Sequence, residues 1–159
     1  MDMSEKAIPT LYEWMGGMPG IELLIEELYR RVPREPLLAP VFAHMGAEHV
    51  KHVAAFIAEV FGGPKDYSAQ HGGHANMIRH HMGRSLTDEQ RKRWMQLLLE
   101  CADALGAPAD PEFRSALVAY LEWGSRLAVI NSQPGAKVVE DLPMPRWGWG
   151  ETQGPYRPQ

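Results

Sequence analysis

The sequence contains very little cysteine, since Cys101 is the only one among its 159 residues. A single cysteine cannot form an internal disulfide, and this usage is typical of a reducing compartment. No apolar stretch approaches the roughly 20 residues that a membrane span needs, and no basic start followed by an apolar run opens the chain. We therefore expect a cytoplasmic protein that has no membrane partner.

Long runs of basic residues are also missing. The longest is Arg91-Lys92-Arg93, which lies on a helical pattern and is most simply a solvated helix face. The formal net charge is −4, so nucleic acid is not an expected partner. The apolar fraction of 45% and the charged fraction of 23% are those of an ordinary globular domain with one core.

No alternating run predicts a β-strand, whereas apolar residues recur at helical spacing in four places. We predict long helices over residues 21–32, 47–61, 87–105 and 111–131. Thr10 is predicted to cap a short helical turn, and Thr87 to Gln90 has the pattern of a capping box. Residues 33–40 are predicted to turn, and residues 65–75 to form a long loop before a short helical segment near residue 80. The fold class predicted from these elements is all-α.

Proline and glycine become frequent toward the end of the chain, where residues 133–159 contain five prolines and four glycines. We predict a flexible amino terminus over residues 1–9, a helical domain over residues 10–132 and a tail over residues 133–159. Two exposed tryptophans in a free tail would be unusual. Trp147 and Trp149 are therefore expected either to dock on the domain or to bind a partner.

All seven histidines lie between residues 44 and 81, at positions 44, 49, 52, 71, 74, 80 and 81. This clustering suggests a metal or cofactor site, with a surface rich in imidazole as the plain alternative. A zinc or di-iron centre fits poorly, because Glu48 and His52 have no second carboxylate–histidine helix to complete a cage. A haem needs one imidazole ligand and an apolar slot, and this chain can supply both.

A series of short motifs occurs in a fixed order between residues 10 and 132. They are Gly16-Gly17, Leu28-Tyr29-Arg30-Arg31-Val32, Val41-Phe42, Phe61-Gly62-Gly63-Pro64 with Tyr67-Ser68, Arg79-His80, and Trp94. Together they resemble the truncated haemoglobins of group II. The resemblance implies a truncated globin, a two-over-two helical sandwich around haem b, with a vestigial first helix and a largely unwound segment before the iron ligand.

The resemblance also implies roles for single residues. His80 corresponds to the proximal iron ligand, and Tyr29 and Trp94 correspond to the two distal hydrogen-bond donors. A shift of one residue would exchange His80 with His81, which directly follows it. His49 stands at a distal position where the family often has a small residue, so it either bonds the ligand or swings out as a gate.

The remaining candidates are contacts of the haem itself. The resemblance places Phe42 against the ring and Val53 at the second distal position. The apolar helix residues Phe56, Met77 and Leu98 are candidates for the slot, with a core position as the plain alternative for each. Arg79, His52 and Tyr67 are candidates for binding the propionates, although His52 is equally well explained as a surface residue.

Dioxygen bound to haem carries partial negative charge, to which Tyr29 and Trp94 can donate, so we expect slow oxygen release. Slow release favours redox chemistry, such as nitric oxide detoxification or peroxide handling, over oxygen transport or storage. Any such enzymatic activity would need a separate electron donor, because no reductase or flavin motif accompanies the helices. A ligand sensor acting through the tail and a haem-free interaction domain are the alternatives, with either a monomer or a homodimer expected.

Overall fold

The computed structural model describes residues 7–156, which form eight α-helices and two short 3-10 helices without a strand in that range. The helices are α1 Leu11–Trp14, α2 Gly17–Arg31, α3 Ala39–Phe42, α4 Ala47–Val60, α5 Asp66–His71, α6 Gly73–His81, α7 Asp88–Ala104 and α8 Pro111–Asn131. The 3-10 helices are Val32–Arg34 and Gly150–Thr152. The predicted all-α fold is confirmed. Residues 1–6 of the predicted flexible amino terminus lie outside the described residues.

Two pairs of helices make the sandwich. Helix α2 packs on α4, helix α7 packs on α8, and contacts between α2 and α7 join the two pairs. The side chains with no exposed surface come from all four helices: Ile21, Ile25, Leu28, Ala58, Val60, Cys101, Ala102 and Phe113. Burial of these apolar surfaces is the main favourable term in folding. No helix in residues 7–156 has both the length and the apolarity of a membrane span.

Two helix starts follow directly from the sequence. The Thr10 hydroxyl accepts a hydrogen bond from the Glu13 amide at 3.0 Å, and the Glu13 carboxylate accepts one from the Thr10 amide at 3.1 Å. Thr87 and Gln90 make the same reciprocal pair, at 3.1 and 2.9 Å. Both capping boxes satisfy amides that a helix start leaves unpaired, and both predicted boundaries are confirmed.

Helix α2 begins four residues before its predicted start. Pro19 and Gly20 indicate a turn by composition, but proline is tolerated in the first helical turn, where its missing N–H would have no partner. Gly20 is required because α1 crosses here, and an added Cβ would lie 2.0 Å from the Met15 carbonyl oxygen. Close packing against α1 thus explains a glycine inside a helix.

The loop predicted over residues 65–75 is wrong, and so is the largely unwound segment that the resemblance implies before the iron ligand. Helices α5 and α6 occupy this stretch. Gly72 and Gly73 both have positive φ angles, of 80° and 69°, and they separate the two helices with a sharp break. Tyr67, Ala75 and Ile78 are buried and anchor the pair to the core.

The described part of the tail, residues 133–156, packs back on the helices. The Trp147 amide donates to the Val60 carbonyl at 2.8 Å, and the Trp149 indole donates to the Pro9 carbonyl at 2.8 Å. The Trp149 ring also meets the Trp14 ring edge to face, with centroids 6.0 Å apart. Both tail tryptophans are therefore docked on the domain and are partly buried there.

Candidate functional site

A mostly apolar pocket opens between helices α2, α4, α6, α7 and α8. Of the residues predicted from the sequence, ten line it: Tyr29, Phe42, His49, His52, Val53, Phe56, Tyr67, Met77, His80 and Trp94. Two predicted residues are absent from its walls. Leu98 is 1% exposed within the helical core, and Arg79 lies on the surface in an ion pair with Glu140.

One wall of the pocket is an aromatic cluster carried by α2, α3 and α4. The Tyr29 ring packs edge to face on Phe42 and His49, with centroid distances of 5.2 and 4.8 Å. Burial raises the pKa of the Tyr29 hydroxyl far above its usual value, and a hydrogen bond from the Trp94 side chain offsets part of that rise. Tyr29 therefore stays protonated and keeps a hydroxyl proton to donate.

His49 has an unpaired nitrogen in this cluster. Its Nε2 is buried and has no hydrogen-bond partner among the described residues. Burial, followed by the positive charge of Arg84 and of neighbouring imidazoles, lowers the pKa of His49 to about 4. The imidazole is neutral at physiological pH, and an unpaired buried nitrogen of this kind suits a polar atom of a bound molecule.

The adjacent histidines at the end of α6 have different environments. The ring nitrogen Nδ1 of His81 lies 2.9 Å from the Met77 carbonyl oxygen, so Nδ1 carries the proton and donates. Burial lowers the pKa of His81 to about 4, which leaves the ring neutral. The His80 side chain is exposed instead, and its Nε2 accepts a hydrogen bond from the Asn76 amide at 3.3 Å.

A metal-binding imidazole almost always donates its second ring N–H to a carbonyl or carboxylate, which orients the ring and frees the other nitrogen. His81 has this arrangement, with an unprotonated Nε2 and a place on the pocket wall. In His80 the Nε2 lone pair is already shared with Asn76. The geometry thus favours His81 over His80 as a ligand to iron. No group of three His, Cys, Asp or Glu side chains within residues 7–156 is arranged to hold a metal ion by itself.

Polar groups collect at the more exposed edge of the pocket. The His52 ring packs on His71 with centroids 4.3 Å apart, and Arg84 reaches the pocket nearby. Partial burial lowers the pKa of His80, and the nearby His52 and Arg84 lower it further, so these three groups lie close enough to influence one another. A pocket with an apolar interior and a guanidinium and imidazoles at its edge suits a flat apolar ring that carries carboxylates.

Several pocket residues were not predicted as site residues. They include Arg84, which follows α6, and His74, Tyr120 and Trp123, which lie on α6 and α8. The helical pattern of α8 does predict an inward face that contains Tyr120. Periodicity alone cannot separate a pocket wall from the core, because both are apolar and both face inward.

Comparison with known proteins gives consistent matches. A family model described as bacterial-like globin matches residues 10–123. The group 1 truncated hemoglobin GlbN of Nostoc commune is 41% identical over 88 residues, covering 46% of this chain and 73% of that protein. The group 2 truncated hemoglobin YjbI of Bacillus subtilis is 29% identical over 117 residues, covering 74% and 86%. The structure of a truncated oxygen-avid haemoglobin from Bacillus subtilis has a TM-score of 0.68 at 28% identity, covering 76% and 99%.

Proposed function

The chain belongs to the bacterial-like globins, and we propose that it binds dioxygen and related diatomic ligands at haem b and releases them slowly. The family match confirms the resemblance to truncated haemoglobins, and haem b is the cofactor of this family. One observation supports the proposal most directly, namely that Tyr29 and Trp94 meet at the wall of an apolar pocket.

The pocket residues fit a haem. The unpaired Nε2 of His49 and the free Nε2 of His81 line the same apolar space, and they can face a bound group from two helices. We propose that His81, in place of His80, holds the iron. Phe42, Val53, Phe56 and Met77 would pack on the ring, and His52 and Arg84 would meet its carboxylates. When bound, haem supplies an iron that binds diatomic ligands reversibly.

The distal residues would slow ligand release through hydrogen bonds. The Tyr29 hydroxyl and the Trp94 indole N–H are donors in a buried environment, where hydrogen bonds are stronger than in water. A bond to a charged acceptor contributes roughly 1.5–3 kcal/mol, which corresponds to about ten- to a hundredfold in the dissociation rate. The Bacillus subtilis haemoglobin of similar structure is described as oxygen-avid, which supports this proposal.

Slow release is poorly suited to oxygen transport, so we propose redox chemistry on small ligands, such as nitric oxide or peroxide. Such turnover requires electrons, which we propose that a separate electron donor supplies. We propose either a monomer or a homodimer as the assembly. Cytoplasmic location is part of the same proposal and follows from the use of a single cysteine.

The decisive experiment is a visible absorption spectrum of the purified protein as isolated, after dithionite, and after carbon monoxide. We expect a Soret band at ~400–430 nm that shifts with carbon monoxide, since an open distal side admits a ligand. A colourless protein that fails to take up added hemin would contradict the proposal. Oxygen dissociation measured by stopped flow would then test slow release independently of haem binding.

A further inference from the structure

Two residues of the tail contact helix α6 near its opposite ends. The Glu140 carboxylate forms an ion pair with Arg79, two residues before His81. At the start of the same helix, the main-chain carbonyl of Pro143 accepts a hydrogen bond from the His74 ring. The tail therefore contacts the helix that carries His80 and His81, the two candidate iron ligands.

Trp147 anchors this part of the tail to the back of the pocket. Its ring packs on Trp123 and Tyr120, with centroid distances of 5.5 and 5.7 Å, and both of these residues line the pocket on their other side. The Trp123 ring in turn lies 5.9 Å from the ring of His74 on α6. Trp147 is thus connected to α6 both through the chain and through Trp123.

The tail partners in these contacts lie outside the part of the chain that matches the family. The bacterial-like globin model ends at residue 123, before the tail begins. The matched Bacillus subtilis structure is covered over 99% of its length by only 76% of this chain. The family match therefore does not include the tail segment that contacts α6.

We infer that residues 140–147 form a strap that positions α6. By positioning α6, the strap also positions the ring of His81 and slows the loss of haem. The inference rests on the proposed role of His81. Because His81 Nδ1 donates to the carbonyl of Met77 on the same helix, movement of α6 moves both partners of that hydrogen bond relative to the pocket. Trp147 is then a positioning residue, which touches neither the haem nor its ligand.

The first test compares Trp147→Ala with Trp147→Phe in the haem-loaded protein. Truncation removes the ring that packs on Trp123 and Tyr120, whereas phenylalanine keeps an aromatic ring there. We expect Trp147→Ala to lose haem to an excess of a haem-free acceptor globin about tenfold faster, with Trp147→Phe recovering most of the difference. The iron–histidine stretching band in the resonance Raman spectrum should shift in Trp147→Ala and return in Trp147→Phe.

A folded Trp147→Ala protein with unchanged haem loss and an unchanged iron–histidine band would overturn the inference. The iron–histidine band is informative because, if the tail only stabilised the fold, Trp147→Ala would lower the free energy of unfolding without shifting the band. Circular dichroism establishes whether the variant is folded.

The second test remains informative if Trp147→Ala does not fold. Glu140→Gln removes the ion pair with Arg79, and Asp141→Asn removes the same charge one residue later, where Asp141 forms no ion pair within residues 7–156. Since the pair is exposed, we expect Glu140→Gln to speed haem loss only about two- to threefold at low salt, with the difference vanishing at high salt. Equal rates for the two variants at low salt would overturn the inference.

The two proposals fail in different ways. If the unmodified protein takes up no haem, the proposed function fails. If the unmodified protein holds haem and the strap variants behave like it, only the strap is contradicted.

Discussion

The ring nitrogen Nδ1 of His81 lies 2.9 Å from the carbonyl oxygen of Met77, one helical turn earlier on α6. This bond fixes the ring and leaves Nε2 free to bind iron. We therefore expect His81→Ala to abolish stable haem incorporation, because it removes this nitrogen and the Nε2 of the neighbouring His80 is already shared with Asn76. Haem content is measured from the ratio of Soret to protein absorbance after purification.

His80→Ala is the matched control, since it deletes the neighbouring imidazole from the same helical turn. Its side chain is exposed and paired with Asn76, so haem content should be retained. The opposite pattern, with loss of haem only in His80→Ala, would return the iron ligand to the position that the sequence motif indicates.

Trp94→Phe should release oxygen faster, because it removes an N–H donor from the distal pocket while keeping an aromatic ring. We expect the dissociation rate to rise about ten- to a hundredfold, with haem content retained. Stopped-flow displacement of oxygen by carbon monoxide measures the rate. Trp14→Phe serves as the control, because the Trp14 indole donates to Asp110 and neither residue lines the pocket. An unchanged rate in Trp94→Phe would mean that Tyr29 or His49 dominates the distal side.

Acidification should destabilise the protein partly through His49. Its pKa is lowered from 6.5 to about 4, chiefly by burial, so the unfolded chain takes up a proton at a higher pH than the folded chain does. The free energy of unfolding is therefore retained above about pH 6.5 and falls as the pH drops toward about 4. Urea unfolding at a series of pH values should give a shallower decline for His49→Gln than for the unmodified protein. Parallel curves would show that His49 titrates normally.

Gly20→Ala should lower the free energy of unfolding by about 1–3 kcal/mol, although alanine usually favours a helix interior over glycine. The reason is that its Cβ would lie 2.0 Å from the Met15 carbonyl oxygen, which belongs to the backbone and cannot easily move. Gly148→Ala is the control, because an added Cβ there meets no atom within 4 Å. Chemical denaturation of both variants measures the effect, and equal stabilities would contradict the predicted clash.

Local patterns in the sequence determine much of this fold. Apolar residues at helical spacing predict α4, α7 and α8 almost to the residue, since burying one face of a helix demands that spacing. The capping boxes at Thr10 and Thr87 are equally local, because both partners of each hydrogen bond lie within four residues. The motif order that runs from Gly16 to Trp94 likewise suffices to identify the family, which the family match confirms.

Other features depend on contacts between distant segments. The glycine pair at 72 and 73 predicts a break, but burial of Tyr67 and Ile78 decides that helices flank it. The predicted haem contacts Leu98 and Arg79 are absent from the pocket walls for the same reason, because contacts with other parts of the chain decide where these side chains lie. Both sit at positions that suit a haem contact, yet Leu98 packs in the core and Arg79 pairs with Glu140, 61 residues away.

By itself, then, the sequence determined the helices, their caps, the family and the set of histidines from which an iron ligand can come. Only the tertiary structure gives a geometric reason to propose His81 in place of His80 as the iron ligand. Neighbouring residues on a helix point about 100° apart, so the two rings have different surroundings although both line the pocket: His81 is half-buried and bonded to the Met77 carbonyl, whereas His80 is exposed and bonded to Asn76. Those surroundings depend on how α6 packs, and α6 meets Trp123 through His74 and Glu140 through Arg79, partners that no local pattern around residue 80 encodes.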